Sequence, residues 1–197
     1  MTGLLVLDHG WWLASRAAGI VAILLLSASL LLGLLLATKI APARWRARLG
    51  TAHERLSLVA LAALAAHGAF LLGDAWLHPG LAGVTVPFAM DYRPLFTGLG
   101  VVAGYLALAL SLSYYARRHV GARRWRSAHR FIPVAWGLAA IHVLGAGSDA
   151  GSAWLQAPIV LTFVLGGGLL GVRIARTRSR AGARPAAAPE GAVRVPA

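Results

Sequence analysis

The chain has 197 residues, 58% hydrophobic and only 13% charged, with a mean hydropathy of +0.70 and no cysteine. A water-soluble domain carries about a quarter charged residues, so this composition excludes one, and the absence of cysteine excludes disulfide scaffolds, Cys-held iron–sulfur clusters, thiolate zinc sites, thiol nucleophiles and c-type haem attachment. The net charge of +13 is read as an orientation signal rather than a nucleic-acid footprint, because its position along the chain matters more than its sum.

Five long apolar runs follow one another: residues 17–38, 56–73, 94–116, 131–148 and 152–172. At about 20 apolar residues per crossing these predict an all-α, polytopic membrane helix bundle of about five transmembrane helices. The runs do not alternate in the way barrel strands do. Of the 19 Lys and Arg residues, 17 fall in the first connection, the third connection and the tail, all on one face if five spans alternate. The positive-inside rule then sets the N-terminus outside and the C-terminus in the cytoplasm. Trp11, Trp12, Trp76 and Trp154 near the outer ends, with Trp45 and Trp125 near the inner ones, match an interfacial aromatic belt. The expected organisation is an outer N-terminal segment (1–16), a transmembrane bundle (17–172) and a basic, disordered cytoplasmic tail (173–197). No cleaved signal peptide is expected, since no basic stretch precedes the first apolar run.

Two small-residue pairs, Gly100/Gly104 and Gly167/Gly171, have G-x-x-x-G spacing and read as helix-packing positions. The stretch 166–171 (GGGLLG) also fits a dinucleotide-loop pattern by letter. It lies inside a span with no preceding strand, so packing is again the reading.

Seven histidines occur, and four fall on the second and fourth spans. His53 and His67 are 14 apart, and His129 and His142 are 13 apart. Both helices start from the same face, so the residues form two pairs at two depths, separated by about 20 Å at a helical rise of 1.5 Å per residue. A haem iron takes one imidazole from each side, so two stacked bis-histidine haems need this arrangement. The ring directions fit unevenly. Fourteen residues fall about 40° short of four turns, whereas thirteen fall about 140° short, so a straight fourth helix does not aim both rings alike. Pro133, one turn after His129, is the expected kink. His9, His78 and His119 read as surface residues, and Trp136, midway between His129 and His142, as a core aromatic.

The spacing of the four histidines, together with the run Gly121-Ala-Arg-Arg-Trp125-Arg-Ser-Ala-His129 and the Gly147-Ser148-Asp149 that follows His142, resembles the ferric reductase-like transmembrane domain family. That family includes the membrane parts of ferric reductases and NADPH oxidases and the haem-binding subunit of a bacterial methionine sulfoxide reductase system. The likeness extends over roughly residues 15–172. It departs from the family in having five spans rather than six, with histidines on the second and fourth, and no flavin or nicotinamide domain after them.

The resemblance implies a b-type cytochrome with two haem b groups, or one if the pair at His53 and His129 does not ligate. His53/His129 would be the inner axial pair and His67/His142 the outer. Arg16 and Arg93 are candidate partners for haem propionates at the outer end. Electrons would pass from a separate cytoplasmic flavoprotein or a quinol to an outer acceptor such as ferric iron, oxygen or a partner oxidoreductase, in a bacterial inner or plasma membrane. The chain is then an oxidoreductase component, with the bilayer as its other partner and no nucleic acid. The alternative is a haem-free transporter or assembly subunit using the histidines for metal binding or helix packing. The transporter version is disfavoured by the lack of acids in the uncharged runs.

Overall fold

The computed structural model describes residues 2–182, with side chains described for 9–179. The protein is an all-α bundle in which seven helices follow one another: α1 (Thr2–Thr38), α2 (Ala43–Leu71), α3 (Gly80–Thr85), α4 (Pro94–Val120), α5 (Ala122–His129), α6 (Ile132–Ala146) and α7 (Ala153–Gly182). Four of them contain stretches long and apolar enough to cross a membrane: His9–Thr38, Ala43–Leu71, Pro94–Val120 and Ala153–Ser179. At 1.5 Å per residue each reaches about 40 Å or more, enough for the hydrocarbon core and much of the headgroup layers. Large apolar side chains point outward along them, including Phe163 (72% exposed) and Leu161 on α7, a surface that suits lipid and not water.

The fourth apolar run takes a different form from the single spanning helix expected. It forms α6, of only 15 residues, preceded by the separate eight-residue α5. The break lies at Arg130 and Phe131 (φ −86°, ψ 0°). Pro133 explains it: proline has no N–H to offer the carbonyl of His129, and its ring excludes that carbonyl, so one helix ends and another begins.

Other boundaries also depart from the apolar runs. α2 begins at Ala43, well before the uncharged stretch, because Arg and Glu are good helix formers even where they interrupt hydropathy. Glu54 therefore sits on a membrane-crossing helix, which the uncharged runs alone did not suggest. α7 continues through Gly182, so residues 173–182 of the expected tail are helical, while 183–197 lie outside the described residues.

α1 is the organising helix. It packs along α2 for much of its length and also contacts α7 and α6, while α4 packs chiefly on α6 and α5. The core joins Ile23, Leu30 and Leu34 of α1 to Trp136 and Ala140 of α6 and to Leu155 and Ile159 of α7. Buried Trp136 satisfies its indole N–H by donating to Ser27 Oγ at 2.9 Å. By contrast α2 barely touches α4 and has no substantial contact with α6. The bundle is thus two packed layers, α1–α2 and α4–α6, held apart on one side.

Polar contacts close the ends. At one end Arg176 of α7 donates to the Thr38 carbonyl at 2.7 Å, capping the C-terminus of α1 with a cation. At the other, Arg16 of α1 donates through Nε to Asp149 Oδ2 at 2.6 Å and through a second nitrogen to Oδ1, a bidentate ion pair with the turn between α6 and α7. The α2–α4 connection folds over the same end as a strap. Val84 of α3 rests where a Gly68 side chain would be, Tyr105 of α4 donates to the Thr85 carbonyl at 2.5 Å, and the Phe88 ring fills the space of a Gly98 Cβ.

The Arg16 guanidinium holds the Asp149 carboxyl below the ordinary carboxylate range. A lowered pKa in the folded state contributes stability above the unfolded value and loses it as pH falls through the folded one. The thermal midpoint of the detergent-purified chain is therefore expected to drop as pH is taken below about 4, the usual carboxylate value. Asp149→Asn should start lower and show a shallower drop over that window, measured by circular dichroism melts at matched pH.

Candidate functional site

The four candidate histidines line the gap between the two layers, and they meet in the pairs that the spacing predicts. The rings of His53 and His129 have centres 6.3 Å apart and planes at 86°; those of His67 and His142 are 6.4 Å apart at 66°. A helix rises about 21 Å over the 14 residues from His53 to His67, so the two pairs sit at well-separated levels. A cavity of about 520 Å³ runs between the levels and is lined by all four histidines, with Trp136 in its wall and the α3 strap at its His67/His142 end. The histidines are only half-buried in the protein because each presents one side to this space.

What aims each ring is a backbone carbonyl. His53 Nδ1 lies 2.9 Å from the Ser29 carbonyl oxygen, and His67 Nδ1 lies 2.8 Å from that of Ser15, both on α1. His129 Nδ1 is 3.2 Å from Leu110 O and His142 Nδ1 is 2.9 Å from Phe96 O, both on α4. A carbonyl only accepts, so every Nδ1 carries the proton and donates it. Each Nε2 is then left with its lone pair, the state in which a neutral imidazole ligates a metal.

Helix carbonyls are usually shielded by the side chain one turn further on. Here three of the four acceptors are followed at i+4 by glycine: Ser15 by Gly19, Ser29 by Gly33, and Phe96 by Gly100. A Cβ at Gly19 would lie 2.9 Å from His67 Nδ1, at Gly33 3.0 Å from His53 Cε1, and at Gly100 2.5 Å from His142 Nδ1. The missing Cβ is what lets the ring reach the carbonyl. At the fourth position Tyr114 follows Leu110, and that hydrogen bond is the longest of the four. Serines reinforce α1's grip on α2. Ser15 Oγ donates to the His67 carbonyl at 3.0 Å, Ser57 Oγ donates to that of His53 at 2.8 Å, and Ser57 Oγ lies 2.7 Å from Ser29 Oγ.

The Ser-x-x-x-Gly element occurs twice on α1, at 15–19 and 29–33, with the same 14-residue spacing as the histidines on α2. It was the readable signal for these supporting residues, and it is easily passed over because serine and glycine are ordinary in membrane helices. Gly100, expected to mediate helix packing, instead receives a histidine ring, while Gly167 and Gly171 have nothing within 4 Å. The angular problem on the fourth span is met by the break before α6, since both His129 and His142 donate to α4 despite their 13-residue separation.

Arg16 lines the cavity, but its guanidinium is paired with Asp149. Arg93 lies over the Tyr92 ring and donates to the Gly145 carbonyl at 2.5 Å. His78 and His119 are exposed, as expected.

Among the described residues no three His, Cys, Asp or Glu side chains converge as a bare metal ion would require. The two histidine pairs instead fit a group that brings its own equatorial ligands. With metal–imidazole bonds of about 2.0 Å and a ring nitrogen about 1.1 Å from its ring centre, a two-histidine bridge separates the ring centres by about 6.2 Å. The observed 6.3 and 6.4 Å match that span at both levels. No family model matches the chain, and no solved structure matches it.

If the glycines exist to admit the rings, adding one methyl group should cost more where a ring is closest. Gly100→Ala is expected to destabilise the bundle by about 1–3 kcal/mol through overpacking against His142. Gly104→Ala, whose Cβ would meet only Leu64 at an ordinary 3.7 Å, should be neutral or slightly stabilising. Unfolding in mixed detergent checks both.

Proposed function

We propose that the chain is a bis-histidine, di-haem b-type membrane cytochrome that carries electrons across the bilayer. His53 and His129 hold the inner group and His67 and His142 the outer. The observation that carries this reading is the pairing of four Nδ1-protonated imidazoles at two levels, with ring-centre separations of 6.3 and 6.4 Å across a gap between helices that do not pack together. Haem, when bound, supplies one-electron exchange at an iron that cannot accept a hydride.

The chain's own residues do the rest. The carbonyls of α1 and α4 fix each imidazole in one tautomer and one direction and raise its basicity as a ligand. The glycines keep the rings against those carbonyls. The apolar cavity wall keeps water and ions from the path between the levels.

This reading includes five crossings, with α5 and α6 together making the fourth. Their support is the pairing itself: residues 129–142 run beside residues 53–67 over the same depth. Lys39, the basic residues on the first half of α2, those from the last turn of α4 through α5 to Arg130, and those on the last turns of α7 then share one face, which the positive-inside rule makes cytoplasmic. The N-terminus is outside, and the donor is a separate cytoplasmic flavoprotein or a quinol. The acceptor, ferric iron, oxygen or a partner oxidoreductase, reacts at the outer end, in a bacterial inner or plasma membrane. On this reading the chain is an oxidoreductase component resembling the ferric reductase-like family.

A haem-free scaffold or assembly role is favoured by one observation: the Nδ1 of each of these four histidines already has a partner inside the protein, so the rings tie helices together without a ligand. A transporter with the histidines as direct metal ligands has less support, because among the described residues no third ligand joins either pair.

Single-ligand variants separate these readings. His67→Ala or His142→Ala should lower bound haem from about two equivalents to about one while sparing the inner group. His53→Ala or His129→Ala should remove the inner one and spare the outer. Variants that keep the wild-type haem content contradict the assignment, as measured by pyridine haemochrome assay against protein concentration.

A further inference from the structure

Two buried side-chain polar atoms have no hydrogen-bond partner among the described residues: Asp74 Oδ2 and Trp125 Nε1. An indole N–H is a donor only, so a buried one without an acceptor points to an acceptor that arrives with something else. The surroundings of Trp125 say where. Its ring lies against His129, with centres 5.3 Å apart and planes at 33°, and edge-on to Tyr114 at 5.6 Å. Tyr114 is covered on its own face by the Arg117 guanidinium, 3.7 Å from the ring centre. Trp125 is therefore held by aromatic contacts on α4 and α5, with its polar atom left over.

Trp125 lines a second chamber, of about 400 Å³, which shares His53 and His129 with the central cavity. Both inner histidines line it, and so do Arg46, Thr51, Glu54 and Trp125. The two acidic and basic side chains there are already engaged. Glu54 accepts from Tyr115 Oη at 2.8 Å, and Arg46 donates to the carbonyls of Ala41 and Lys39 at 3.0 and 3.2 Å. Arg46 is itself a donor, and no oxygen of Glu54 bonds the indole N–H.

We propose that Trp125 is a positioning residue whose indole N–H donates to a carboxylate oxygen of the group that His53 and His129 hold. The inference rests on the di-haem reading, in which the only carboxylates such a group carries are its propionates. A donor on a propionate withdraws negative charge from the neighbourhood of the iron and so favours the reduced state. Trp12, Trp76 and Trp136 line the central cavity, and among the described residues none of them carries a buried indole N–H without a partner; Trp136 donates to Ser27.

The test is a spectroelectrochemical titration of the full-length, haem-loaded chain in detergent, with Trp125→Phe against wild type. Phe keeps an aromatic ring against His129 and Tyr114 and removes only the donor. The couple assigned to the inner group, identified by its loss in His53→Ala, should shift to a lower midpoint potential, with the outer couple unmoved and both groups retained. If the Phe chain does not accumulate, Trp125→Tyr, which displaces the donor, is titrated in its place with the same expected fall. Two unshifted couples, as expected if a water satisfies the indole, overturn the proposal, and so does a parallel fall in both couples, which marks a general structural role. A wild-type chain that binds no haem removes this proposal together with the reading beneath it and is recognised before any variant is titrated.

Discussion

Each of the four candidate histidines donates its Nδ1–H to a helix carbonyl, and the rest of the site follows from that contact. In a low-dielectric layer an imidazole with no partner is costly and free to rotate. Donation to a carbonyl satisfies one nitrogen, fixes the ring plane and leaves the other nitrogen with its lone pair. The carbonyls of Ser15 and Ser29 do this for α2, and those of Phe96 and Leu110 do it for α5 and α6. Both pairs of acceptor carbonyls are 14 residues apart, so two helices, α1 and α4, act as rulers that set both levels at once.

This constraint accounts for the two-layer build. The histidine-bearing helices are each fastened backward, α2 to α1 and α5–α6 to α4, and so do not need to pack on one another. The cavity between them is the space left by that division, and it is lined mostly by apolar side chains. Packing elsewhere compensates for the gap. Ile23, Leu30 and Leu34 of α1 pack with Trp136 and Leu155, and Arg16–Asp149 and Arg176–Thr38 tie the two ends. α1 is thus both the back wall of the site and the centre of the core, which is why its glycines and serines are not interchangeable with other small membrane residues.

Much of this was legible in the sequence, for physical reasons that can be named. Long uncharged runs have one structural solution in lipid, so the helices α1, α2, α4 and α7 could be read directly. Histidine is rare enough in such runs that its spacing carried the two levels. The angular arithmetic on His129 and His142 demanded a distortion near Pro133, and the chain breaks at Arg130 and Phe131.

The supporting contacts left only the repeated Ser-x-x-x-Gly element on α1 as a signal, because the acceptors are backbone atoms and have no letter in the sequence. Gly19, Gly33 and Gly100 read as ordinary small residues until a ring is seen against each. Helix ends were misjudged at α2 because charged residues end an apolar run without ending a helix, which hid Glu54. Arg16 drew attention as a cation near the outer end, and the carboxylate it meets came from a residue 133 positions away.

The central claim is that two histidine pairs hold two haems, and the most direct measurement is the haem-to-protein ratio of the purified full-length chain, taken with its dithionite-reduced minus oxidised spectrum. The account predicts a ratio near two with b-type bands. A chain expressed with haem supplied that purifies without any absorbing group contradicts it, and would leave the imidazoles as ties between helices.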